Sequence, residues 1–339
     1  TNGILKPKYD AQQDIYMDFL KELEEAVAQI GASTTMGKSD LIFQGNTTKW
    51  KAWGNSMMLR LALRLHKADP GTSKAWAEKA AAAGLMTSND HIAMIAHTDG
   101  PEGINKNGHG EVFDADGNPR MSKTFVDWLK DDPRLPILAA RRSDGSTKIA
   151  DLIGMPNGST GATVSDTSIY AEPNRNVITK RDVPMVLQTY AEVRFMLAEM
   201  AVRGWNVVGD AKTHYEAGVK AAMQMLSGIY PNAAAISDAE VATYLAAKPY
   251  DASKGWEMIS EQYWAATLLN EYEAFSNWRR TGFPTLVPTN DPGNVTGGTI
   301  PRRLIYPTGE GSTNAENYNA AIARQGPNDF KTRVWWDKQ

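Results

Sequence analysis

The stretch LQTYAEVRFMLAEMAVRGWNVVGDAKTHYEAGVKAAMQMLSG, residues 187–228, decides the fold class. Leu187, Tyr190, Val193, Leu197 and Ala201 recur every three or four positions, the spacing that lines one face of a helix, and Gly204 stops it. A second helix begins near Asp210 and sets Ala211, Tyr215, Gly218 and Ala222 on one side. Small, large and small residues at that spacing match the inner face of the second helix in tetratricopeptide hairpins, although the 34-residue period does not repeat cleanly. The reading is a helical hairpin with a short link.

Working outward, the same design recurs. DIYMDFLKELEEAVAQI carries Ile15, Phe19, Leu23, Val27 and Ile30 as one stripe. A helix over about 48–68 places Trp50, Trp53, Met57, Leu61 and Leu65 together, ends at Asp69-Pro70-Gly71, and is followed by an alanine-rich helix at 73–83 closed by Gly84. Ser237-Asp238-Ala239-Glu240 is a capping box. A long helix is expected from near Ser253, with Trp256, Ile259, Tyr263, Thr267, Asn270 and Ala274 on a shared side. Between the helices, residues 97–120, 143–184 and 284–330 are rich in Gly, Asn, Asp, Ser and Pro and read as long loops with at most short strands. The fold class is mainly α: helical hairpins supporting elaborate irregular loops.

Composition excludes several functions. The chain has 36 Lys and Arg against 39 Asp and Glu, so it lacks the basic footprint of a nucleic-acid binder. It has no cysteine, which removes disulfides, thiolate chemistry and sulfur-ligated metals. No signal peptide or apolar run of spanning length is present. Ten tryptophans and twelve tyrosines supply helix cores and equally the flat surfaces that stack on sugar rings.

The apparent motifs reduce to structural readings. GASTTMGKS (31–39) resembles a phosphate-binding loop, but Gly31 and Gly37 are separated by five residues instead of four, and the segment follows a helix. FDADGNP (113–119) offers Asp114, Asp116 and Asn118 at the alternation that gathers oxygen ligands for Ca²⁺; a turn at Asp116-Gly117 between short strands explains the same residues without metal. No two of His66, His91, His97, His109 and His214 have zinc-site spacing. Gly158-Ser159-Thr160-Gly161 is not a nucleophile elbow. Glu271 and Glu273 point about 200° apart on a helix and cannot flank one glycosidic bond. Arg279 and Arg280 end the last long helix, where cations suit its negative pole, with Glu271 and Glu273 in reach and Gly282 and Pro284 terminating it. Their role reads as structural.

Aromatic and polar residues in or beside the loops are the candidate ligand-binding set: Phe113, Trp128, Tyr170, Asn174, Arg175 and Tyr230. No catalytic residue is nominated. A structural Ca²⁺ at Asp114, Asp116 and Asn118 is the single metal candidate, and no other cofactor is expected.

Seven segments together, in order, resemble the SusD/RagB family of Bacteroidetes outer-membrane nutrient-binding lipoproteins, in its SusD-like branch. They are WKAWGNSMMLRLALRL (50–65), DDPRLPILA (131–139), GMPNG (154–158), QTYAEVRFMLAEMAVRGW (188–205), EAFSNWRRTGFPTL (273–286) and IPRRLIYP (300–307), ending in RVWWD (333–337). The resemblance implies tetratricopeptide-like hairpins under a loop face that binds glycan or another nutrient without cleaving it. It implies a SusC-like TonB-dependent transporter as partner. It also implies a cell-surface location on the outer membrane through a lipidated N-terminal cysteine. Residues 1–339 are expected to form one SusD-like domain lacking that anchor and the first helical portion. A glycoside hydrolase assembling acids from distant loops and a tetratricopeptide-like module that docks proteins remain as alternatives.

Overall fold

A computed structural model describes residues 5–32, 36–100, 105–158 and 164–339. Residues 33–35 of the phosphate-loop look-alike and 159–161 of the Gly-Ser-Thr-Gly run lie outside them, while Gly37–Ser39 forms one 3₁₀ turn. Helices dominate: α1 (Gln12–Gln29), α2 (Thr47–Arg64), α3 (Pro70–Ala83), α4 (Gly108–Ala115), α5 (Lys123–Trp128) and α6 (Leu135–Leu138) in the first half. The second half holds α7 (Tyr190–Val202), α8 (Ala211–Ile229), α9 (Asp238–Ala247), α10 (Gly255–Ala266), α11 (Glu271–Thr281), α12 (Glu310–Thr313) and α13 (Ala315–Gln325). Two two-stranded antiparallel ribbons complete it. Strand β1 (Ala93–Ile95) pairs with β4 (Met185–Gln188), and β2 (Ala139–Arg141) pairs with β3 (Ala171–Pro173).

The α7–α8 hairpin expected from the opening stretch is present. Asp210 caps α8 by accepting from the Thr213 amide, and Tyr215, Gly218 and Ala222 face inward. Gly218 is a packing requirement: a Cβ there would sit 2.5 Å from the Phe195 ring of α7. The Ser237 capping box is also formed, with Glu240 reaching back to the Ser237 amide.

Periodicity misjudged the deepest faces. Of the stripe expected on α2, Trp50, Trp53, Met57 and Leu61 are only half-buried and Leu65 is fully buried, while Met58, Leu59, Ala62 and Leu63 are buried on another face and Arg60 and Arg64 are buried too. Helix α7 is enclosed almost all round by α2, α8 and α10, so Ala191, Phe195, Met196 and Met200 are buried together with Glu192 and Glu199. On α1 only Leu20 is fully buried, and Phe19 stays exposed.

Two expectations are overturned. The long helix from Ser253 is two helices. Helix α10 ends at Ala266, the Thr267 hydroxyl donates back to the Tyr263 and Trp264 carbonyls, and Leu269 takes φ 64°, which no right-handed helix accommodates. The fold-back lets α11 lie against α10, so the Tyr263 hydroxyl comes 3.0 Å from Glu273. The strands expected around Asp116-Gly117 are absent: Phe113–Ala115 is the end of α4, and Asp116 closes it by accepting from the Asn118 amide. No helix among the described residues is long and apolar enough to cross a membrane.

Candidate functional site

The helical side is locked by buried ion pairs. The Arg60 guanidinium donates to Glu192 at 2.6 Å, and Arg64 donates to both oxygens of Glu273 at 2.7 and 2.6 Å. The Tyr263 hydroxyl lies 3.0 Å from each carboxylate. Four helices, α2, α7, α10 and α11, therefore meet at one polar knot inside the core. Burial alone would raise the Glu273 carboxyl, but Arg64 and Arg60 pull it below its ordinary value. A second knot joins Arg280 to Glu199 at 2.5 Å, with Arg203 donating to the same carboxylate at 3.0 Å.

Arg280 thus pairs with α7 and not with the glutamates of its own helix: Glu273 belongs to Arg60 and Arg64, and Glu271 lies 3.0 Å from His109. Arg279 and Arg302 donate to each other's carbonyls at 2.9 Å, and Arg302 also bonds the buried Asp337. Three of the quoted segments, NWRR, IPRR and RVWWD, therefore interlock. Gly282, at φ 84°, releases the chain from α11.

The loop side is held by arginines that bond backbone. Arg175 pairs with Glu172 at 3.0 Å and donates to the Phe113 and Asp116 carbonyls, fastening α4 to β3. Arg120 donates to the Gly117, Pro119 and Thr167 carbonyls, and Arg142 donates to both oxygens of Glu172 while its backbone amide donates to the Tyr170 carbonyl. Four of the residues nominated from sequence, Phe113, Tyr170, Asn174 and Arg175, therefore share one neighbourhood. Arg175 serves there as a staple, and Asn174 is buried with its Oδ1 accepting from the Asn176 amide.

The two other nominees lie apart. Tyr230 is buried at the end of α8, where burial pushes its hydroxyl up to about 12, against an enclosed cavity of about 40 Å³. That volume suits about one water, not a sugar. Trp128 lines a separate pocket of about 200 Å³ between α5, α8, α9 and α10. Of the cation candidates, Asp114 pairs with Arg181 at 2.6 Å and Asp116 accepts from the Asn118 amide, and no group of three or more His, Cys, Asp or Glu side chains gathers among the described residues.

Three open hollows, of about 500, 530 and 570 Å³, fall within the range of ligand pockets, and the 500 Å³ one lies on the loop side. Its walls are Leu286–Thr289 and Gly293–Pro301, and Thr124, Asn157 and Phe330 complete it. The GMPNG segment forms one side because its end glycines permit close approach. A Cβ at Gly154 would strike the Lys123 backbone at 2.4 Å, and Gly158, at φ 72°, passes the Asp291 and Thr289 side chains where a Cβ would come within 2.1 Å. The opposite wall is shaped by Asn294, whose Oδ1 accepts from the Thr296 amide and hydroxyl and whose amide donates to the Thr289 carbonyl.

The chemistry of this hollow is neutral. Thr124, Asn157, Thr289 and Thr299 are exposed, and their side chains make no hydrogen bond to another described residue. No charged side chain lines it, and Phe330 gives one half-buried aromatic surface. Hydroxyl and amide groups beside apolar walls suit a ligand with many hydroxyls and no net charge. Sequence reasoning placed loops here but nominated none of these residues, because threonine and asparagine in a Gly/Pro-rich segment carry no local signal.

Comparison with known proteins shows the family of the chain. The SusD-like_2 family, described as starch-binding and associating with outer membrane, matches residues 1–307. A solved structure described as a chitin-binding protein is 35% identical, with a TM-score of 0.87, covering 100% of this chain and 76% of that one. A Bacteroidetes SusD-like structure is 28% identical at a TM-score of 0.85, covering 98% and 78%. A chitin-binding SusD homologue from Flavobacterium johnsoniae is 25% identical at 0.81, covering 100% and 75%. No curated protein sequence matches the chain. The interlocked arginine segments, the tetratricopeptide-like hairpins and the match over most of its length make this chain a member of the SusD-like family.

Proposed function

We propose that this protein captures a neutral oligosaccharide, of the N-acetylglucosamine type found in chitin, in the hollow between 154–158 and 286–301, and holds it without cleaving it. The observation that carries the reading is the alignment of the whole chain, at 35% identity, with a protein described as chitin-binding. The uncharged hydroxyl and amide lining of the hollow supports it, because such a ligand offers hydroxyl and acetamido groups and no ion. The family's association with the outer membrane extends the reading to a surface-tethered lipoprotein that passes its glycan to a SusC-like TonB-dependent transporter. A calcium ion at Asp114, Asp116 and Asn118 forms no part of this proposal.

The test is incubation with chitin and starch oligosaccharides followed by separate measurement of retention and of chain length. Retention of the N-acetylglucosamine oligomers at unchanged length is the expected result. Shortened products would replace this function with that of a carbohydrate-active enzyme. Co-purification of a large β-barrel with the full-length protein tests the transporter partner.

A further inference from the structure

The 200 Å³ pocket beside Trp128 has a different chemistry from the loop hollow. It opens between α5, α8, α9 and α10, and the rings of Trp128, Tyr215 and Tyr244 form its walls with Met258. Its volume corresponds to about seven waters, room for one sugar ring and not for a chain. The floor is fixed: the Gln262 amide donates to the Tyr244 hydroxyl at 2.8 Å, and its carbonyl accepts from Arg134 at 3.0 Å. Arg134 is itself neutralised by Asp132 at 2.7 Å and lies over the Trp128 ring, its carbon 5.7 Å from the centroid.

One charge in the pocket lacks an ionic partner. Glu261 accepts from the Trp128 indole N–H at 3.0 Å through Oε2, and its other oxygen bonds no described residue. No cation lies within ion-pair distance of it among the described residues. Burial pushes its carboxyl upward, and Glu257 adds to the push, while the Trp128 bond opposes it. A positive ligand would relieve both effects. The opposite rim shows what the rings attract: the Lys248 ammonium sits 5.2 Å from the Tyr244 centroid. Aromatic walls around an unpaired carboxylate are the arrangement that recognises an ammonium group, through the ring faces and the charge together.

We infer that this pocket binds a protonated amino sugar, a glucosamine unit, by seating its ammonium between Glu261 and the rings of Trp128, Tyr215 and Tyr244. The ammonium half of the inference stands on the pocket alone; the sugar half rests on the glycan reading above. A chain that captures chitin-type glycan would thereby also register units that have lost their acetyl group, since deacetylation is the change that converts a neutral unit into a cation. The pocket favours the deacetylated unit on charge, because an acetamide N–H can give Glu261 a hydrogen bond but no compensating positive charge.

The experiment is an NMR titration of the Trp128 indole N–H, assigned by its loss in Trp128→Phe, with glucosamine and N-acetylglucosamine at pH 6. Glucosamine is expected to shift the signal and N-acetylglucosamine to leave it in place. Glu261→Gln keeps an acceptor for the indole but removes the charge, and should weaken glucosamine about tenfold. Lys248→Ala removes a competing cation and should tighten it. Equal responses to the two sugars, indifference to Glu261→Gln, or no response to glucosamine would each overturn the inference. A wild-type protein that holds glucosamine but retains no N-acetylglucosamine oligomer would instead overturn the proposed function and leave the pocket standing.

Discussion

The helical core and the loop hollow use polar side chains in opposite ways. In the core, Arg60, Arg64, Arg280, Glu192, Glu199 and Glu273 are buried or nearly so, and each carboxylate has a guanidinium within 2.7 Å. In the hollow, Thr124, Asn157, Thr289 and Thr299 are exposed, neutral and without described partners. Paired charge belongs to the core, and open hydrogen-bonding capacity belongs to the hollow. Charges paired with one another fix the angles of four helices, whereas exposed groups with no described partner are the ones a ligand can satisfy.

The sharpest way to break this contrast is to open the core knot. Glu273→Ala leaves Arg64 buried without its carboxylate and should cost about 3–5 kcal/mol. A thermal melt measures the loss, and a change below about 1 kcal/mol would mean that the knot does not hold the helices together. Next in size, Gly218→Ala forces a Cβ into the Phe195 ring at 2.5 Å and should cost about 1–3 kcal/mol by the same melt. In the hollow the effect should change kind. Replacing Asn157 and Thr299 by alanine together should weaken an N-acetylglucosamine oligomer about tenfold, from two lost hydrogen bonds of about 0.7 kcal/mol each, with the melting temperature unmoved. A fall in melting temperature with unchanged affinity would erase the distinction between the two regions.

Acid separates the regions further. Burial pushes the Glu199 and Glu273 carboxyls upward, yet the arginines beside them hold both below their ordinary value when folded. Their contribution is therefore present above the unfolded glutamate value, about 4.3, and is lost as pH falls below it. Denaturation midpoints should drop over that window in the native chain and less in Glu199→Gln. The smallest effect belongs to His109, raised by its bond to Glu271 despite burial. That bond stabilises below the unfolded histidine value of about 6.5 and fades as pH climbs through the raised folded value. His109→Gln should remove on the order of 0.3 kcal/mol at pH 5 and nothing at pH 9, by chemical denaturation.

Much of the scaffold was legible in the residues. The α7–α8 hairpin follows from its spacing, its Asp210 cap and Gly218, and the Ser237 capping box appears as written. The hidden part is long-range. Nothing local marks Arg60 and Arg64 as buried partners of Glu192 and Glu273, which lie more than 120 positions away in sequence. The break at Leu269 is equally silent, since nothing in TLLNEYE forbids helix; packing of α11 against α10 imposes it. The loop side was the least legible. Large aromatics drew attention to Phe113, Tyr170 and Tyr230, whereas the hollow is lined by threonines and two asparagines of a kind that any loop contains.

The most direct test is a crystal structure of the protein with a bound N-acetylglucosamine oligomer. The expected result is the glycan between residues 154–158 and 286–301, hydrogen-bonded to Asn157 and Thr299, with the Arg60–Glu192 and Arg64–Glu273 pairs undisturbed. A glycan seated instead on Phe113, Tyr170 and Arg175, leaving that hollow to solvent, would contradict it.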